Sequence, residues 1–312
     1  MNFNALLNTI IMLFIFMAVG FVANKLHIID EIASKKLSKL IITICQPCLI
    51  IGSLAKFEYS TENLKLGFVT LGLGILIHGT LAVIAFFACR PFKDIDEQKI
   101  TEFCMIFGNA GFIGFPILQS LFGDKGLFMG AFFVISFHLT LWTWGIAILA
   151  RKRNDIKLTV KKIFINFGTV PSAIGIVLFL LPIEMPKFIT STLGYLGDVC
   201  TPVSMLIIGA LLARSNLISL FKSFKGYYLS AMKLIISPII VCVAMTLIGF
   251  PADMTLFMTA VCCLPCATTV SMLSELYDLK SEYSAQLVGM SSLLSVLTIP
   301  AVLLLAEFIV KI

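Results

Sequence analysis

The sequence predicts an all-α polytopic membrane protein: ten transmembrane helices in two inverted five-helix repeats, with helices 4 and 9 broken. Three observations carry that prediction. Of the 312 residues, 59% are hydrophobic and 13% charged, where a soluble domain carries about 25% charged residues. Apolar runs of about 20 residues, the length that crosses a bilayer, recur at 4–24, 37–55, 64–89, 100–122, 127–150, 163–183, 190–213, 227–249, 255–274 and 284–310. Finally, Cys45-Gln46-Pro47 leading into Leu49-Ile50-Ile51-Gly52-Ser53-Leu54-Ala55 returns 155 residues later as Cys200-Thr201-Pro202 leading into Leu206-Ile207-Ile208-Gly209-Ala210-Leu211-Leu212-Ala213.

Taken in order, span 1 follows Met1-Asn2-Phe3-Asn4, with no basic region before it and no small-residue cleavage site, so it reads as a retained helix. Span 2 carries the repeated motif, and span 3 carries His78. Span 4 contains Gly108-Asn109-Ala110-Gly111-Phe112-Ile113-Gly114-Phe115-Pro116, where three glycines and a proline within nine residues break a helix. In lipid such a break frees backbone N–H and C=O groups, which are tolerated only inside protein or along a wet cavity. Span 5 holds His138, span 7 begins near Asp198 and repeats the motif of span 2, and span 8 holds Lys233. Span 9 is interrupted at Pro265, the counterpart of Pro116. An odd number of helices per repeat inserts the second half upside down, so residues 1–156 (helices 1–5) and 157–312 (helices 6–10) form inverted repeats, an architecture that places substrate near the midplane between the two breaks.

Lysine and arginine sort by loop. Seventeen fall after spans 1, 3, 5, 7 and 9, against five (Lys56, Lys65, Lys125, Lys187, Lys311) on the other side. The positive-inside rule makes the richer side cytoplasmic and leaves both termini outside. The net charge of +6 is therefore an orientation signal, and a nucleic-acid partner is excluded; the partner is the lipid bilayer. The nine cysteines lie mostly in apolar runs, where a thiol behaves as a small hydrophobe. Cys45-x-x-Cys48 and Cys263-x-x-Cys266 lack His or acidic partners at ligand spacing, so neither a metal nor a cofactor is expected.

The second half of a broken helix starts with the positive end of its dipole and so favours an anion. Pro116 suits the first turn of such a half-helix, and Gly111 and Gly114 let a ligand approach the backbone. Pro265 takes the same part in span 9, with the hydroxyls of Thr268 and Thr269 beside it. Asn109 adds an amide that bonds a carboxylate without burying a charge, and Gln46 is a second amide candidate. His78, His138 and Asp198 are the candidates for proton coupling, although Asp198 and Lys233 are expected near the membrane faces, where such groups stay hydrated. Gly197-Asp198 and Tyr277-Asp278 offer the alternative of an intramembrane aspartyl protease, against which the order of the two dipeptides speaks. A carboxylate sensor without flux is a further alternative.

Phe107 to Pro116, followed by Leu121-Phe122-Gly123, resembles the fourth-helix signature of the auxin efflux carrier family. Gly197 to Ala213 resembles its seventh helix, and Leu264-Pro265 through Tyr277 with Ser291-Ser292 through Pro300 its ninth and tenth. The resemblance implies a fold related to the bile acid and sodium symporters. In it, helices 1, 2, 6 and 7 form a scaffold, helices 3–5 and 8–10 form a mobile transport domain, and helices 4 and 9 cross at their broken prolines. It further implies homodimers through the scaffold, efflux of small organic anions (malate, malonate or auxin-like monocarboxylates), and a prokaryotic inner-membrane carrier, since residues 151–162 make only a short basic linker. His138 stands where relatives carry Asn, and Thr268 and Thr269 replace an Asn in helix 9. Sodium-coupled symport ranks lower, because span 9 before Glu275 offers hydroxyls but no carboxylate.

Overall fold

The computed structural model describes residues 3–153, 165, 168–181, 185–214 and 222–311. The expected repeat boundary at 156/157 and the linker lysines Lys157, Lys161 and Lys162 lie outside them. Among the described residues the elements are α1 (Phe3–Lys25), α2 (Glu31–Ala55), α3 (Thr61–Ala88), α4 (Ile95–Ile106), α5 (Phe115–Ala150), α6 (Thr169–Leu180), α7 (Lys187–Arg214), α8 (Phe224–Ile248), α9 (Ala252–Cys262), α10 (Thr269–Leu276) and α11 (Ser281–Lys311). Six of these (α2, α3, α5, α7, α8 and α11) are long and apolar enough to cross a membrane, and Ile11–Lys25, Thr169–Leu180 and Ala252–Cys262 are shorter apolar helices. The chain is an all-helical, multi-pass membrane protein.

Side-chain caps start several helices where the chain leaves an apolar run. Asp30 accepts from Ala33 N–H (2.7 Å), Ser60 from Asn63 N–H (3.0 Å) and Ser223 from Gly226 N–H (3.1 Å), each satisfying an otherwise orphaned first-turn donor. The Asp30 cap makes α2 begin at Glu31, six residues before the apolar run at 37, so its first turns are polar and mostly exposed. Proline shapes the interiors. Pro47, Pro116 and Pro238 each sit just after a wide π turn (Ile41–Cys45, Ala110–Gly114 and Met232–Ile236). A ring that cannot donate and that clashes with the carbonyl four residues back is accommodated by widening the preceding turn. Gly123 (φ +62°, ψ −145°) breaks α5 into an eight-residue arm and a long arm, a conformation open to glycine alone. The sequence places a loop there; a single residue makes the corner.

Glycine sets how close the helices come. A Cβ on Gly20 would stand 2.1 Å from the Leu206 carbonyl, and one on Gly209 would stand 1.9 Å from that of Met17, so α1 and α7 touch backbone to backbone. Gly175 of α6 lies against Leu54 of α2, and Gly197 of α7 against Leu49 of α2. Thus α1 pairs with α7 and α2 with α6 and α7. On the other side of the molecule, Gly67 and Gly74 of α3 lie against Phe132 and Ser136 of α5. Outward-facing side chains such as Leu247, Ile248, Leu297 and Phe308 are apolar, as a lipid-facing surface requires.

The charged loops meet as the lysine and arginine count groups them. Lys225 in the first turn of α8 pairs with Glu97, and Lys280 before α11 bridges Asp94 (2.7 Å) and Glu97 (3.2 Å). Arg151 pairs with Glu102, and Arg153 donates to the Tyr277 carbonyl (3.1 Å). Lys125 and Asp253 meet in the opposite set of loops (3.5 Å). Several loop-assigned residues of the count lie within helices, Lys35, Lys36 and Lys39 in α2 among them; of these Lys99, in α4, is 1% exposed and pairs with Asp96 (3.3 Å).

Candidate functional site

The chain between α4 and α5 and the chain between α9 and α10 run past each other as a two-residue antiparallel bridge, Gly108 against Cys266. Phe107, at φ −96° and ψ 112°, turns the end of α4 into extended backbone. Asn109 N–H then donates to the Pro265 carbonyl (2.7 Å), and Ala267 N–H donates to the Phe107 carbonyl (3.0 Å). Cys266 N–H is taken up by Ser291 Oγ of α11 (3.1 Å), whose own hydroxyl donates to the Val288 carbonyl (3.0 Å). The backbone groups that these breaks release are therefore satisfied inside protein, as a lipid environment demands.

Two half-helices start from this bridge. Ile113 and Gly114 N–H both donate to the Asn109 carbonyl (3.2 and 3.0 Å), beginning the turn that leads into α5, and Pro116 sits in its first turn as the sequence predicts. On the other strand Ser271 and Met272 N–H donate to the Thr268 carbonyl, and α10 begins at Thr269. Here the expectation for Pro265 needs correction. It is buried in the extended strand and serves through its carbonyl; it is not in the first turn of a half-helix. A proline fits there because that strand asks for an acceptor at this residue, not a donor.

Asn109 is 4% and Gln46 9% exposed. A Cβ on Gly111 would stand 2.6 Å from Gln46 Nε2, so the amide of α2 lies directly on the glycine of the break. Gly114 faces Leu264 of the other strand, its Cβ position 2.9 Å from Leu264 Cδ1. Asn109, Gly111, Gly114, Pro116, Pro265 and Gln46 are thus brought together, with the half-buried Thr268 and Thr269 at the start of the neighbouring half-helix. Beside them runs a narrow crevice of about 20 Å³ between α1, α7, α11 and the break, lined by Met17, Ile113, Ile117, Met205, Ser292 and Ser295. It has room for about one water molecule.

The titratable candidates separate. His78, 2% exposed, donates from Nδ1 to the Gly74 carbonyl (2.6 Å) and stacks on Phe133 (5.3 Å between centroids) and against Phe107 (5.6 Å), which ties it to the bridge. His138 lies against Gly168 at the start of α6, and neither of its ring nitrogens has a hydrogen-bond partner among the described residues. Asp198 is exposed on α7, away from the bridge, and Asp278 is exposed beyond α10. Lys233 departs most from expectation. It does not reach a membrane face: it is 1% exposed, sits in the π turn of α8, and donates from Nζ to the Ile106 carbonyl at the end of α4 (3.3 Å). A lysine inside an apolar span was the available signal; the assumption that its long side chain would reach water concealed it.

Comparison with known proteins agrees with this construction. A family model described as membrane transport protein matches residues 5–303. An uncharacterized transporter of Methanocaldococcus jannaschii is 22% identical over 300 residues, covering 94% of this chain and 96% of the relative. An uncharacterized transporter of Methanothermobacter thermautotrophicus is 23% identical over 297 residues, covering 94% and 95%.

Proposed function

This chain belongs to the membrane transport protein family, that of the auxin efflux carriers, and on that premise we propose that it is a secondary carrier of small organic anions working by alternating access at the bridged breaks. That it is a transporter and not an enzyme follows from the family, and the protease reading falls with it. The observation that carries the anion reading is the pairing of Asn109 N–H with the Pro265 carbonyl. It ties the starts of two half-helices to one bridge, with Asn109 in the bridge and the Gln46 amide on Gly111. Positive dipole ends and neutral donors suit a carboxylate.

In this reading each broken pair counts as one crossing, α4 with the short arm of α5, and α9 with α10, which makes ten spans in two inverted repeats, 1–156 and 157–312. Reciprocal packing supports the repeat: α1 on α7 and α2 on α6 exchange into each other when the halves are swapped. We assign α1, α2, α6 and α7 to a scaffold and the other helices to the moving domain. The ion pairs Lys225–Glu97 and Lys280–Asp94 support that grouping, since both join elements of the moving set. Proton coupling, if present, is assigned to His78, the histidine that touches the bridge through Phe107. Placement in a prokaryotic inner membrane with both termini outside rests on the charge count, and homodimerisation on the family resemblance.

The test is a thermal-shift and flux panel of mono- and dicarboxylates on purified, reconstituted protein with and without sodium. At least one carboxylate should raise the melting temperature and exchange across the vesicle membrane, and Asn109→Ala should weaken binding by about tenfold, as loss of one hydrogen bond to a charged group does. Transport of every carboxylate by Asn109→Ala at the wild-type rate would remove the site, and a strict sodium requirement would favour symport.

A further inference from the structure

We propose that Lys233 is the fixed countercharge of the transported anion, and that it restricts the carrier to monovalent anions. The inference rests on the anion-carrier reading above and adds the charge of the substrate to it. Lys233 is the largest polar side chain at the bridge and is 1% exposed, and its ammonium donates to the carbonyl of Ile106, the last residue of α4. The ionisable groups around it are the thiols of Cys104, Cys262, Cys263 and Cys266 and the imidazole of His78. Among the described residues it forms no ion pair with a carboxylate. What holds it is backbone, which carries no net charge: α4 ends at Ile106 and α9 at Cys262, and the carboxyl end of a helix is the negative end of its dipole.

The bridged region is therefore polarised. The carboxyl ends of α4 and α9 lead into the bridge, with the Lys233 ammonium on the last carbonyl of α4, and the amino ends of the half-helices, with Asn109, lead out of it. Among the described residues the other buried charges of this group of helices are balanced, Lys99 by Asp96 and Glu102 by Arg151. One unbalanced positive charge in a low-dielectric interior matches one negative charge. A bound monocarboxylate makes the region neutral, while a dianion leaves it negative and an empty site leaves it positive, and an uncompensated charge is costly to carry through a membrane. The domain thus crosses most readily when it holds one monoanion, which predicts electroneutral exchange faster than net transport.

The experiment uses the full chain in proteoliposomes, with exchange of radiolabelled pyruvate, lactate and benzoate against malonate and malate, at zero potential and at about 100 mV set by potassium and valinomycin. Monocarboxylate exchange in the wild type should change less than about twofold with potential, and the dianions should be excluded at a pH where both their carboxyls are ionised. Lys233→Gln and Lys233→Met should lower exchange about tenfold or more and make the remainder potential-dependent, as expected for a loaded domain that now carries a charge. Lys233→Arg should keep both the exchange and its insensitivity to potential. The proposal is overturned by a wild type that prefers dianions or whose exchange follows the potential, by Lys233→Gln matching wild type in rate and insensitivity, or by Lys233→Arg losing as much as Lys233→Gln. The wild-type measurement decides the matter even if the variants fail to fold. No carboxylate exchange in the wild type would overturn the carrier reading and this inference together, whereas the other adverse outcomes remove only the role of Lys233.

Discussion

Between α1 and α7 glycines let two helices touch, whereas at the bridged breaks glycines let two helices stop. At Gly209 the space where a side chain would begin is filled by the Met17 carbonyl, 1.9 Å away, and at Gly20 by the Leu206 carbonyl, 2.1 Å away. At Gly111 the corresponding space is filled by the tip of a side chain, Gln46 Nε2 at 2.6 Å. Backbone cannot withdraw from a backbone contact without moving a helix; an amide at the end of three rotatable bonds can. One region is built to hold its shape and the other to admit a change, which is the division of labour an alternating-access carrier needs.

Substitutions probe that contrast, beginning with the most damaging. Gly209→Val should collapse the α1–α7 contact, costing about 3 kcal/mol or more as overpacking does, and should be read as loss of monodisperse protein in detergent. Gly72→Val, with nothing within 4 Å of its Cβ position, is the matched control and should behave as wild type. Equal tolerance of both changes would break the contrast at its rigid end.

Ser291→Ala comes next. It leaves Cys266 N–H without its acceptor at the bridge, and an unsatisfied buried donor costs about 1–3 kcal/mol, so the melting temperature should fall while the protein still reconstitutes. Gly111→Ala should be milder for stability but not for binding. Gln46 moves aside, the fold persists, and anion affinity drops about tenfold. Gln46→Ala added to it should cost less than the two changes separately, a coupling of about 0.5–3 kcal/mol in a double-mutant cycle. Strict additivity would mean that the amide and the glycine do not meet.

Asp94→Asn should do least. The hydrogen bond from Lys280 holds the Asp94 carboxyl below the usual carboxylate range. Its stabilising effect is therefore fully present above an unfolded-state pKa of about 3.9 and fades as pH falls through the lower folded value. At neutral pH an exposed pair of this kind contributes little and is screened by salt. The melting temperature should barely change, and what change there is should vanish in high salt or strong acid.

Particular residues show how much of this was legible beforehand. The break at 108–116 was plain, because three glycines and a proline inside an apolar span leave no regular helix. Pro116 fell where its missing N–H costs nothing. The segments after spans 3, 5, 7 and 9, which the count groups together, meet through the contacts of Lys225, Lys280, Arg151 and Arg153. Pro265 was recognised as a break but given the wrong task, since a proline in a first turn and a proline in an extended strand look alike along the chain. Lys99 was read as a loop residue because it borders an apolar run, yet α4 takes it in and Asp96 balances it.

From composition, run length, helix breakers and loop charge, the sequence by itself determined a multi-pass helical membrane protein and the position of its first discontinuity. These are local quantities, and each is complete within about 20 residues. Only the tertiary structure decided that Asn109 meets Pro265, that Gln46 lies on Gly111, and that Lys233 ends at the Ile106 carbonyl instead of at a membrane face. Each of those contacts joins segments far apart in the chain, where no periodicity links the partners. Each is also selected by the rule that a backbone or charged group buried in lipid must find its partner inside the protein.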